Sequence, residues 1–192
     1  MTLSQRFPAL LFEPDYGTSD LYDRPAVGQA FLMVTLYAVL SSFNALLSAA
    51  IKTESFSFSM FTFFLTFFIA YISWFFLSVI LHVVADMLGA LGELPNTFAF
   101  TGLATAPLVV TSVVLIFVTM FGTSLLDDDP DGILRYVSFG VNLIGIGWGW
   151  TGVLCYFGLK NAERLDSIKA MILSMIVFFL MGIFHAVYSD VF

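Results

Sequence analysis

The chain has 192 residues, of which 59% are hydrophobic, 23 are Phe and only 11% are charged. A soluble globule needs a polar skin that this composition cannot supply, so the sequence is that of an integral membrane protein. Its net charge of -7 is carried mostly by the first 23 residues and the run Asp127 to Asp131, and no basic patch is present for nucleic acid.

The segment LSQRFPALLF, from Leu3 to Phe12, is apolar but too short to cross a hydrocarbon core of about 30 Å. It reads either as a segment lying along the headgroups or as an unattached tail. Pro8, Pro14, Gly17 and Pro25 oppose any long helix before residue 25. The first long apolar run begins near Ala26 and follows Asp20 and Asp23 instead of a basic stretch. It is therefore expected to stay in the membrane and not to be cleaved as a signal.

Five apolar runs meet the length of roughly 20 residues that a helical span requires. They cover approximately 26–50, 56–82, 97–122, 136–159 and 168–189. None alternates polar and apolar residues as a barrel wall must, so the expected fold is all-α, a bundle of five transmembrane helices. The second run is the longest, and it either tilts or extends into the segment His82 to Asp86. With the N-terminus inside, Arg6, Arg24, Lys160, Arg164 and Lys169 are cytoplasmic and only Lys52 and Arg135 lie outside. This excess predicts N-in and C-out.

Gln29, Ser41, Ser42, Asn44 and Ser48 in the first run are suited to hydrogen bonds between helices. The fourth run is rich in glycine, and Gly145-x-x-x-Gly149 is a small-x-x-x-small pair of the kind that lets two helices approach closely, within one chain or between two. Trp148 and Trp150 differ by about 200° around a helix, so they do not share one packed face. Cys155, the single cysteine, excludes an intramolecular disulfide, and its apolar setting predicts a packed core residue.

The stretch His82 to Leu108 is where polar residues, glycines and prolines interrupt two apolar runs at once. His82 and Asp86 are four apart and share one helix face if the second span continues through them. Gly89, Gly92 and Pro95 then break the helix, and Asn96 or Thr97 is suited to cap the next. Pro107 inside the third run predicts a kink packed against neighbouring helices.

These residues carry a family resemblance. His82, Gly89 and Gly92 followed by Gly102, Ala104 and Pro107 resemble the turn and the Gly-x-Ala-x-x-Pro-like element of the Ypt-interacting protein (Yip) family of small five-span membrane proteins. Gly158-Leu159-Lys160 followed by Ser167-Ile168-Lys169-Ala170 is similar to that family's linker between its last two spans. Asp20-Leu21-Tyr22-Asp23-Arg24-Pro25 resembles its Asp-Leu-Tyr-Gly-Pro element, but Asp23-Arg24 stands where the family has one Gly, which weakens any partner-binding role implied by it. Ala90 also stands where many members have a second Gly. The resemblance implies the same N-in arrangement and a role in organising membrane proteins or membrane shape, in eukaryotes through Rab-type GTPases and membrane trafficking.

Ionisable groups in or beside apolar runs mark proton or ion paths in many membrane proteins. Here His82 and Asp86 lie at the edge of their run and His185 lies near the polar C-terminal residues, so helix-end hydrogen bonding and interfacial placement account for them. Asp127, Asp129 and Asp131 with Gly132 match the opening of a calcium loop, but its twelfth position is Ser138 and not a bidentate Glu. Calcium is thus expected to be at most a weak ligand, and no other cofactor is implied. No nucleophile, zinc or phosphate-loop motif is present, so no enzyme is expected.

The expected function is a non-catalytic Yip-like protein acting in the bilayer through a membrane or cytoplasmic protein, or through a second copy. The short segment before the first span favours a multi-pass protein of a prokaryotic plasma membrane. The alternatives are a small transporter or channel with a polar path at His82 and Asp86, and an accessory subunit of a larger membrane complex.

Overall fold

The computed structural model describes residues 1–53, 56–125 and 130–191, with side chains described for these apart from 51–53, 56, 58, 121–125, 130–141 and 180–191. The described residues form eight helices: α1 Leu3–Phe12, α2 Pro14–Thr18, α3 Val27–Thr53, α4 Phe56–Met87, α5 Leu94–Leu103, α6 Ala106–Leu125, α7 Pro130–Asn161 and α8 Ser167–Val191. No strand occurs among them, as the unalternating apolar runs imply. Asp127 and Asp129, and the side chain of Asp131, lie outside the described residues, as does the side chain of His185.

Three described stretches are long and apolar enough to cross a bilayer: Val27–Ala50, Ser59–Met87 and Leu94–Met120. Helix α7 has 32 residues and α8 has 25, and the described part of α8, Ser167–Phe179, is a shorter apolar helix. Helix α4 continues through His82 and Asp86 to Met87, so the length of the second run is used partly by extension past its apolar part.

The third stretch consists of α5 and α6, which part at Ala104–Thr105, just before Pro107. Proline has no N–H to continue the ladder, and its ring crowds the preceding turn. Thr105 Oγ1 donates to the Gly102 carbonyl at 2.7 Å, satisfying one acceptor at the break. The start of α5 differs from the sequence expectation: Glu93 is the N-cap, and Pro95 lies in the first turn, where its missing N–H costs nothing. Asn96 and Thr97 are thus free to use their side chains elsewhere.

Helix α3 packs against α4, α5 and α6, while α7 packs against α5, α6 and α8. Phe100, Leu81, Leu103, Leu154 and Leu159 are fully buried where they meet. Close approach occurs at Gly102, where a Cβ would come within 2.6 Å of Ala30 Cβ, and at Gly158, where it would overlap the Phe100 ring. A Cβ at Gly145 or Gly149 meets nothing within 4 Å. Besides Gly158, the α7 glycines that meet a neighbour are Gly147, against Thr111, and Gly152, against Phe178.

The outer surface is apolar. Phe61, Phe64, Phe68, Phe75 and Phe76 of α4 each stand more than half exposed. Ser42, Ser78, Thr101 and Glu163 are instead buried. This inversion is the one that a hydrocarbon solvent favours.

The N-terminal segment is not an unattached tail but is packed on the bundle. Leu10 is completely buried, Trp150 Nε1 donates to the Leu10 carbonyl at 3.2 Å, and α2 packs against α7. Two short helices replace one long one, as the prolines require. Pro8 is accommodated inside α1, and Pro14 opens α2.

Candidate functional site

One end of the bundle gathers the N-terminal segment, the α4–α5 connection and the α7–α8 connection, and its polar side chains bond across all three. Asn96, 3% exposed, donates its amide to the carbonyls of Leu21 at 3.1 Å, Tyr22 at 3.0 Å and Ala162 at 3.2 Å. Three backbone acceptors from two distant segments thereby share one side chain.

Glu163 has no exposed surface. Thr97 Oγ1 donates to its Oε1, and His82 Nδ1 lies 3.1 Å from Thr97 Oγ1 and 3.8 Å from Glu163 Oε1. A threonine hydroxyl has a single hydrogen, so with that hydrogen on Glu163 its oxygen is left to accept from His82 in the tautomer that carries a proton on Nδ1. Glu163 Oε2 has no hydrogen-bond partner among the described residues. Burial pushes the Glu163 carboxyl above its ordinary pKa, opposed by the Thr97 hydroxyl and His82 and reinforced by the Asp86 charge.

Glycine makes this arrangement possible. Gly89 takes φ +87 in the turn after α4, a conformation that side chains rarely adopt. Gly92 lies flat against Glu163: a Cβ there would overlap Oε2 and come within 2.7 Å of the Ala162 carbonyl. Leu91 N–H donates to the Glu163 carbonyl at 2.9 Å, and Lys169 Nζ donates to the Leu88 carbonyl at 2.7 Å.

Beside it, Arg6 is 1% exposed and fully engaged. Its guanidinium donates to both carboxylate oxygens of Asp20 at 2.7 and 3.0 Å, to the Gly17 carbonyl at 2.9 Å and to Gln29 Oε1 at 2.8 Å. Burial works against ionisation of Asp20, but Arg6 and the amino terminus outweigh it and hold the carboxyl below its ordinary pKa. Asp15 is also held low, chiefly by the Asn161 amide, with Lys160 at 3.3 Å adding to it. Arg164 stacks on the Tyr22 ring at 3.8 Å and faces Asp23 at 3.8 Å. A planar fork on a carboxylate and a guanidinium on a ring fix orientation as well as distance.

A match to the family model described as Yip1 domain covers residues 9–188. The chain belongs to the Yip1 family. Its segments at this polar end therefore belong to a non-enzymatic family of membrane proteins. No curated protein and no solved structure matches the chain.

Of the residues singled out from the sequence, His82, Gly89, Gly92 and Pro95 meet at this end of the Yip1 chain. Asp86 is exposed, and its charge acts on Glu163. Pro107 is separate, at the α5–α6 break. Sequence reasoning passed over Glu163, Arg6 and the linking role of Asn96. Glu163 stands in the polar linker Asn161-Ala162-Glu163-Arg164, where a charge ordinarily meets water. Its presence beside a family-like block was the one available signal. Among the described residues no group of three His, Cys, Asp or Glu side chains converges to hold a metal ion.

Proposed function

We propose that this Yip1 protein is a five-span scaffold, N-in and C-out in a plasma membrane, that organises membrane proteins or membrane shape by presenting its polar end to a protein partner. The carrying observation is the fusion of three separate connections into one plate through Asn96 and Glu163. A preformed surface loses less conformational freedom on docking than loose loops do. The 32-residue and 25-residue lengths of α7 and α8 support the fourth and fifth spans. Neither His82 nor Asp86 lines the cavity inside the bundle, which favours the scaffold over a polar path.

The test replaces exposed Glu93 with a photo-crosslinking residue, and Val110 in the apolar region as the control. The scaffold reading expects a discrete protein adduct at Glu93, recovered in fixed stoichiometry after mild-detergent purification and absent at Val110. Equal, diffuse adducts at both positions would contradict it.

A further inference from the structure

Away from the polar end, the bundle contains a cavity of about 300 Å³. Thr66, Ser73 and Trp74 of α4 line one side and Trp148, Cys155 and Phe178 of α7 and α8 the other, with α3, α5 and α6 behind. Helix α4 packs against α3 and α5, and α8 against α7, but α4 shares no comparable packing with α7 or α8. The cavity occupies that gap and is partly open through it.

Its length is informative. The lining runs from Val34 to Ala45 on α3 and from Thr66 to Leu77 on α4. At 1.5 Å per residue each interval measures about 16 Å. This is close to half of a hydrocarbon core of about 30 Å, the depth that one leaflet contributes.

The chemistry of the wall is equally restrictive. Trp74 Nε1 donates to Thr101 Oγ1 at 3.2 Å, and the hydroxyls of Thr101, Thr105 and Thr151 donate to carbonyls of their own chain at 2.6, 2.7 and 3.0 Å. These groups need nothing from a ligand. Thr66 Oγ1 differs: it is shut away and has no partner among the described residues. Thr66 is also the lining residue of α4 farthest from the polar end. With the other wall hydroxyls satisfied within the chain and Thr66 Oγ1 shut away, the wall offers an occupant nothing but apolar contact, and hydrocarbon fits the space.

We propose that the cavity takes one acyl chain of a bilayer phospholipid, entering between α4 and α8 from the leaflet opposite the polar plate. The ester end lies beside Thr66, and the chain runs toward Leu77.

The probe is phosphatidylcholine carrying a diazirine in the middle of one acyl chain, mixed into vesicles containing the full chain. After irradiation, adducts are mapped by peptide sequencing. The expected result is adducts on inward-facing Ser73 and Cys155 as well as on outward-facing Phe75 and Phe76. Ala70→Phe, which fills the cavity from α4, is expected to abolish the inner adducts and leave the outer ones. Ala45→Phe does the same from α3 if the first variant does not fold. Adducts confined to Phe75, Phe76 and other outward residues in the unsubstituted chain would overturn the proposal without reference to either variant. Inner adducts that survive both filled cavities in folded protein would overturn it as well.

Discussion

Thr97 and Glu163 are separated by 66 positions in the chain, yet the Thr97 hydroxyl donates to the buried Glu163 carboxylate. The bond ties the first turn of α5 to the α7–α8 connection, and His82 joins it from α4. Its partners have little alternative, because water does not reach Glu163.

The pH dependence of stability follows from two carboxyls shifted in opposite directions. Burial raises the Glu163 pKa above its ordinary 4.5, so its contribution is complete below that value and is lost as pH rises through the raised one. The Asp20 pKa is lowered from 3.8, so its contribution is complete above 3.8 and is lost as pH falls through the lowered one. These two groups together therefore favour an acidic optimum in thermal unfolding in detergent, since both contributions are complete only between 3.8 and 4.5. Glu163→Gln should flatten the alkaline limb alone.

Asn96→Asp keeps shape while replacing an amide donor with an acceptor facing the carbonyls of Leu21, Tyr22 and Ala162. Leaving buried acceptors unpaired costs about 1–3 kcal/mol each, so the loss should reach about 3 kcal/mol. Chemical unfolding should report the destabilisation, and limited proteolysis should report release of the N-terminal segment. Unchanged protection of residues 1–25 would refute the linking role of Asn96.

Arg6→Leu removes one partner of a buried pair and leaves Asp20 without its fork. A fully buried pair loses about 3–5 kcal/mol in this way. Asp20 remains 31% exposed and recovers some hydration, so about 2–3 kcal/mol is expected. The loss should appear first as protease sensitivity before Val27.

Glycine substitutions should separate by position. Gly92→Ala drives a methyl into Glu163 and Ala162 and should cost about 1–3 kcal/mol. Gly145→Ala and Gly149→Ala meet open space within the chain. They should leave monomer stability within about 0.5 kcal/mol. A shift in oligomeric state with either would assign those glycines to contact between copies.

The bundle was legible in the sequence because apolar length and hydropathy report directly on a hydrocarbon solvent. The break before Pro107 and the turn at Gly89 were legible because each rests on one residue's backbone restriction. The buried polar partners were not. Glu163 and Arg6 look like water-facing charges in sequence, and only the return of distant segments encloses them. The Gly145 and Gly149 spacing suggested close packing, yet the neighbouring turn of α7 presents Gly147 and Gly152 instead. Spacing identifies a stripe of small residues but does not say which stripe faces the bundle.

The most direct measurement is a double-mutant cycle between Thr97→Val and Glu163→Met, followed by chemical unfolding in detergent. The account predicts that the double variant loses less than the two single losses combined, with a coupling of about 0.5–3 kcal/mol. Losses that add to within about 0.3–0.5 kcal/mol would contradict it, since residues that do not share a bond behave that way.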